Sequence, residues 1–101
     1  MTFLIKKPIA TGDIITIKLQ TAEELICRVE KDEDNTLTVS RPLTLTYGAQ
    51  GVGMTPWIMT GDENNHIAIN KAMIMATTPT MKQAADQYIQ GTTGIKPVGR
   101  N

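Results

Sequence analysis

Several residue types that carry common chemistries are scarce in this chain. It holds one cysteine, one histidine and one serine in 101 residues. A single cysteine excludes a disulfide framework within the chain. One Cys with one His argues against a His/Cys metal site, and no metal or other cofactor is expected. Ser40 stands alone, and no Gly-x-Ser-x-Gly elbow surrounds it, so nucleophilic hydrolysis lacks its usual frame. Net charge is also missing: 10 Lys+Arg balance 10 Asp+Glu, which excludes a generally basic nucleic-acid binder. No apolar run approaches the roughly 20 residues that span a bilayer. The first residues, Met1-Thr2-Phe3-Leu4-Ile5 before Lys6-Lys7-Pro8, lack the basic start and long apolar stretch of a signal peptide. The expectation is a cytoplasmic protein without membrane contact.

What is present is β-branched. The chain has 15 Thr and 12 Ile, residues that suit a pleated, half-buried surface. Hydrophobic content of 41% and charged content of 20% are ordinary for a globular protein. The length allows one domain, expected over residues 1–91, with a Gly/Thr/Pro-rich tail over 92–101.

Alternation of apolar and polar residues marks the strands. Ile14–Leu19 turns Ile15, Ile17 and Leu19 to one face. Glu24–Lys31 turns Leu25, Cys27 and Val29 inward, and Thr36–Ser40 does the same with Leu37 and Val39. Between these two strands, Asp32-Glu33-Asp34-Asn35 reads as a tight polar turn. Arg41-Pro42 interrupts the third strand and predicts a bulge or bend, after which alternation resumes with Leu43, Leu45 and Tyr47. Gly48, Gly51 and Gly53 predict a flexible hairpin loop, and Thr55–Thr60 the returning strand. A short strand, Ile67–Ile69, and a last strand, Ala72–Ala76, meet at an Asn70-Lys71 turn. Thr78–Gln90 carries Met81, Ala84, Ala85, Tyr88 and Ile89 on one helical stripe, with Gly91 as its stop. That helix is expected to cover the open end of a barrel.

The chemistry-bearing candidates are few. Cys27 faces inward and reads as a small core residue. His66 could act as a general base only with a carboxylate partner, and none is identifiable from the sequence. The acidic residues Glu30, Asp32, Glu33 and Asp34 lack the spacing of a calcium loop and read as a solvated turn. No catalytic residue is assigned, and the protein is expected not to be an enzyme. The last strand, Ala-Met-Ile-Met-Ala, has no polar alternate, which predicts burial on both faces. With the off-phase Ile26 and Ile58, it predicts a subunit interface that includes Ile58, Met73, Ile74 and Met75.

The order of elements over residues 13–76 resembles the Sm/Lsm-like five-stranded bent small barrel, an SH3-like fold. Ile15-x-Ile17-x-Leu19, Leu25-x-Cys27-x-Val29, Asp34-Asn35 and Leu37-x-Val39 are similar to the first Sm motif. Ile67-x-Ile69-Asn70-Lys71 followed by Met73-Ile74-Met75 is similar to the second. The family's turn glycine is here Ala22, its second-strand glycine is Cys27, and its Arg-Gly pair is Asn70-Lys71. The helix follows the barrel instead of preceding it. In style the chain is similar to small phage-borne or marine-metagenomic Sm-like proteins.

The resemblance implies a homo-oligomeric ring in which the fourth strand of one subunit joins the last strand of the next. It also implies a pore-side site for single-stranded RNA built from Asp34, Asn35, Asn70 and Lys71. Lys71 replaces an arginine there, without its planar fork. Two functions are therefore open: a ring-forming, non-catalytic RNA-binding scaffold in RNA processing, or a structural or protein-interaction module with no nucleic-acid role.

Overall fold

The computed structural model describes residues 9–93. The fold is mostly β: six antiparallel strands in one open sheet, followed by one helix. The strands are β1 (Ile14–Leu19), β2 (Glu24–Asp32), β3 (Thr36–Gly48), β4 (Gly51–Pro56), β5 (Ile67–Asn70) and β6 (Ile74–Pro79), and the helix is α1 (Lys82–Thr93). The order across the sheet is β4-β3-β2-β1-β6, with β5 paired to the first half of β3. Among the described residues no helix is long and apolar enough to cross a membrane.

Period-two alternation builds the core as the sequence predicts. Ile15, Ile17, Leu19, Leu25, Cys27, Val29, Leu37 and Val39 are buried together, joined by Ile69, with Ile9, Trp57, Ile67 and Ile74 packed against them. The turn after β1 puts Ala22 at φ 80, the left-handed conformation that a glycine would adopt without strain.

The strand count is six, one for each segment that the alternation marks, where the Sm-like resemblance implies five. The return path along β3 is broken in two: β4 pairs with its second half and β5 with its first. The break begins at Pro56, which has no N–H to continue the ladder. Trp57 then donates its backbone N–H to Pro42 O at 3.0 Å, and the chain leaves the sheet. So β4 spans Gly51–Pro56 and not the expected Thr55–Thr60. The hairpin before it is tight: Gly48 pairs with Gly51, whose φ of 110 closes an Ala49-Gln50 turn, and Gly53 lies within β4.

Arg41-Pro42 is the predicted bulge. The β2–β3 register shifts between Ile26 and Arg28, and Arg41 takes φ 47. Beyond it Ile26 pairs with Leu43 and Leu25 with Thr44. Cross-strand partners share a face, so the bulge moves Leu43, Leu45 and Tyr47 to the face opposite Leu37 and Val39. The sheet thus has two apolar surfaces, the core and a smaller strip on the outer face around Ile26, which is itself buried.

The last strand and the helix both begin later than expected. Lys71–Met73 forms a single 3₁₀ turn, capped by the Asn70 side chain, which accepts from Ala72 N. Strand pairing with β1 then runs to Pro79, and Thr80 N donates to Ile14 O. These bonds hold Thr78–Thr80 outside the helix, and Met81 O accepts from Ala85 N at 2.9 Å as the helix begins. In turn α1 continues through Gly91 to Thr93, two residues into the expected tail; the rest of that tail lies outside the described residues. Of the apolar stripe only Tyr88 is buried, while Met81 is 70% exposed. The expected burial of Ala72–Ala76 on both faces is also corrected. Ile74 packs on the core, Met73 and Met75 are exposed, and among the described residues β6 ends the strand order.

Candidate functional site

The two loops that the family resemblance pairs are neighbours. Lys71 N donates to Asn35 O at 2.9 Å, which joins the β2–β3 turn to the turn after β5. The side chains there are occupied locally. Lys71 Nζ lies 2.6 Å from Asp32 Oδ1, and Asn70 Oδ1 accepts from Ala72 N at 2.9 Å. Asp34 and Asn35 are exposed at the tip of the turn. A phosphate would meet a lysine whose charge is already balanced by a half-exposed carboxylate.

His66 has the carboxylate neighbour that the sequence did not reveal. Its Nε2 is 3.9 Å from Glu30 Oε2, and the same oxygen accepts the Ser40 hydroxyl at 2.7 Å. The β2–β3 register shift near Glu30 and the start of β5 bring the three together. The order of groups matters. In a nucleophilic triad the imidazole stands between hydroxyl and carboxylate. Here the carboxylate stands in the middle and accepts the hydrogen bond of the serine hydroxyl itself. Cys27 offers no nucleophile either: it is fully buried, and burial pushes its thiol up to about 12.

Tyr88 ties α1 to the bulge. Its hydroxyl donates to Ser40 O at 3.0 Å and Arg41 O at 2.9 Å, and Arg41 Nη1 donates to Thr92 O at 2.7 Å. Burial, with the Cys27 thiol adding to it, raises the phenol above its ordinary range, while the nearby Arg28 and Arg41 pull the other way.

No protein-family model matches the chain, and no curated protein matches it.

The four interface candidates separate. Ile58 follows β4 and is 42% exposed; Met73 and Met75 flank the start of β6 at 40% and 67%; Ile74 is committed to the chain's own core. Because β4 and β6 are the two ends of the strand order, these residues lie on opposite edges of the sheet. The strands themselves, GVGMTP and IMATTP, are each six residues, carry no charge and end in proline. One signal in the sequence could have drawn attention to them. No charged residue occurs from Pro42 to Gly61 or from Ala72 to Met81. These two runs contain the two outer edges.

Proposed function

We propose that this protein is a non-catalytic assembly module that joins copies of itself by pairing β4 of one with β6 of the next. The observation that carries the reading is the state of those edges. Chains that stay monomeric protect outer strands with lysines or other charges, because open N–H and C=O groups recruit further strands. Here neither edge has a charge, and among the described residues neither outer edge pairs with another strand. Contact between two different edges is heterologous and propagates, closing as a ring if the rotation allows. That is the assembly implied by the Sm-like resemblance. The resemblance itself is supported by the strand pattern: β4 and β5 serve successive halves of β3 like one interrupted fourth strand, which makes β6 the fifth. We place the module in the cytoplasm, where one unpaired cysteine is ordinary.

Light scattering of the intact chain should give a mass of several copies, and a lysine on either edge should reduce it to one. Thr55→Lys and Met75→Lys are the substitutions of choice, because both side chains are exposed. Ile74→Asp would strike the chain's own core and confuse unfolding with dispersal. A monomer at high concentration would overturn the proposal.

A second reading, weak binding of single-stranded RNA, is favoured by the Asn35–Lys71 backbone contact. Repetition around a ring would multiply one weak contact per subunit. Filter binding of oligo-U and oligo-A at two salt concentrations tests it. Lys71→Ala should lower retention, and Asp32→Asn should raise it by releasing the ammonium. No retention at low salt removes the RNA role and leaves the structural module.

A further inference from the structure

Two cavities lie between the sheet and α1, one of about 420 Å³ and one of about 610 Å³. Met54 of β4 and Gln87 of α1 line both, so the two adjoin at this pair. Leu43, Met54, Ile58 and Ile67 give the smaller cavity its apolar walls, and the last turn of α1 closes it at Gly91 and Thr92. Ile26, Leu45, Val52 and Met54 give the larger one the same character. Charge is unevenly divided between them. Among the described residues Arg41, Asp62 and Glu63 line the smaller cavity, and Glu24 alone lines the larger.

Arg41 is the charged group set deepest. Its side chain is 35% exposed, against 76% for Glu63. A guanidinium carries five N–H donors. Among the described residues this one makes a single hydrogen bond, from Nη1 to Thr92 O at 2.7 Å. Its carboxylate neighbour, Glu63 Oε1, stands at 4.0 Å, beyond hydrogen-bond reach. Asp62 is turned to its own loop, where Oδ1 accepts from Asn64 N at 2.9 Å. Salt and water screen the two exposed carboxylates more than the half-buried cation. The smaller cavity therefore offers unused, positively charged donors beside an apolar wall.

We propose that the two cavities form one site for a free alkyl monocarboxylate of the fatty-acid type. The carboxylate sits on Arg41, and the chain runs past Met54 toward Leu45 and Val52. A carboxylate matches the guanidinium fork with two parallel bonds. A phosphate head, with nearly twice the charge, would meet more repulsion from Asp62 and Glu63. Met54 and Gln87 are unbranched, and a thioether adapts readily to an apolar neighbour, so the passage between the cavities can admit a methylene chain. The site does not depend on the edge-to-edge reading, and its test needs no assembly.

That test is amide NMR of the full chain titrated with octanoate, octanol and octylammonium, which share an alkyl body and differ in the head. Octanoate should bind roughly tenfold or more tighter than either of the others, with shifts centred on Arg41, Ile58 and Gly91. Decanoate should extend the shifts to Leu45 and Val52, which butanoate leaves unmoved. Arg41→Gln should bring octanoate down to the affinity of octanol, and octanol binding by that variant shows its cavity intact. Arg41 also holds Thr92, so the comparison of heads on the unaltered chain decides the matter even where the variant loosens α1. Equal affinity for octanoate and octanol, or a preference for octylammonium, overturns the assignment to Arg41. Decanoate shifts confined to the smaller cavity overturn the shared site. No shift with any of these probes overturns the proposal whole.

Discussion

Ala22 and Cys27 both stand where the resembled family has glycine, and the consequences differ. At Ala22 the chain needs a left-handed residue and does not have the one that adopts it freely. Ala22→Gly should therefore raise stability by about 0.5–1 kcal/mol, the relief of left-handed strain less the added freedom of the unfolded chain. A thermal melt reads this as a midpoint several degrees higher. At Cys27 a side chain fills the core where a glycine would leave space. Its thiol titrates near 12 when folded and in the ordinary cysteine range when unfolded. A raised folded value means that the native state holds the proton more tightly. Its contribution is complete below the unfolded thiol's range and is lost as pH rises through about 12. Urea denaturation between pH 8 and pH 11 should show falling stability, and Cys27→Ala should flatten that decline, although it lowers stability at pH 8 by opening a cavity. A slope unchanged by the substitution would assign the alkaline loss elsewhere.

Among the elements, α1 depends most on a single residue. It buries only Tyr88, and the Tyr88 hydroxyl meets the strand at its strained bulge. Tyr88→Phe keeps the ring and removes the donor to two carbonyls, at a cost of about 1–2 kcal/mol. Hydrogen exchange should localise the loss, with α1 amides exchanging faster and those of β1, β2 and the first half of β3 unchanged. Uniform acceleration would show that α1 and the sheet open as one unit. The bulge also shows how far periodicity carries. Alternation places Leu37 and Val39 correctly and flags Arg41-Pro42 as a break. It does not tell which face Leu43, Leu45 and Tyr47 occupy beyond it, because one extra residue exchanges the faces. The helix start illustrates a different limit. Thr78–Gln90 has helical spacing, but strand pairing to β1 holds Thr78 and Pro79.

For the whole molecule, the distribution of charge sets what the proposed assembly would respond to. The two edges are uncharged while lysines, arginines and carboxylates lie elsewhere, so the proposed association through them would draw on backbone hydrogen bonds and apolar contact. Raising salt from about 50 to about 500 mM should leave the oligomer's mass unchanged, since there is little charge to screen. RNA retention at Asn70 and Lys71, where it occurs, should fall over the same range because phosphate contacts release counterions. An oligomer that disperses in salt would point to a charged interface and away from β4 and β6.

By itself the sequence determined the inner face of the core, the turn at Asp34-Asn35 and the bulge, because each follows from local spacing or from the backbone limits of one residue type. Tertiary structure alone decided that β4 and β5 share β3 as partner, the placement of Glu30 against His66 and Ser40, the engagement of Lys71 by Asp32, and the separation of Ile58 from Met73 and Met75. Those arrangements join residues far apart in the chain, and local pattern carries no information about which distant partner a side chain meets.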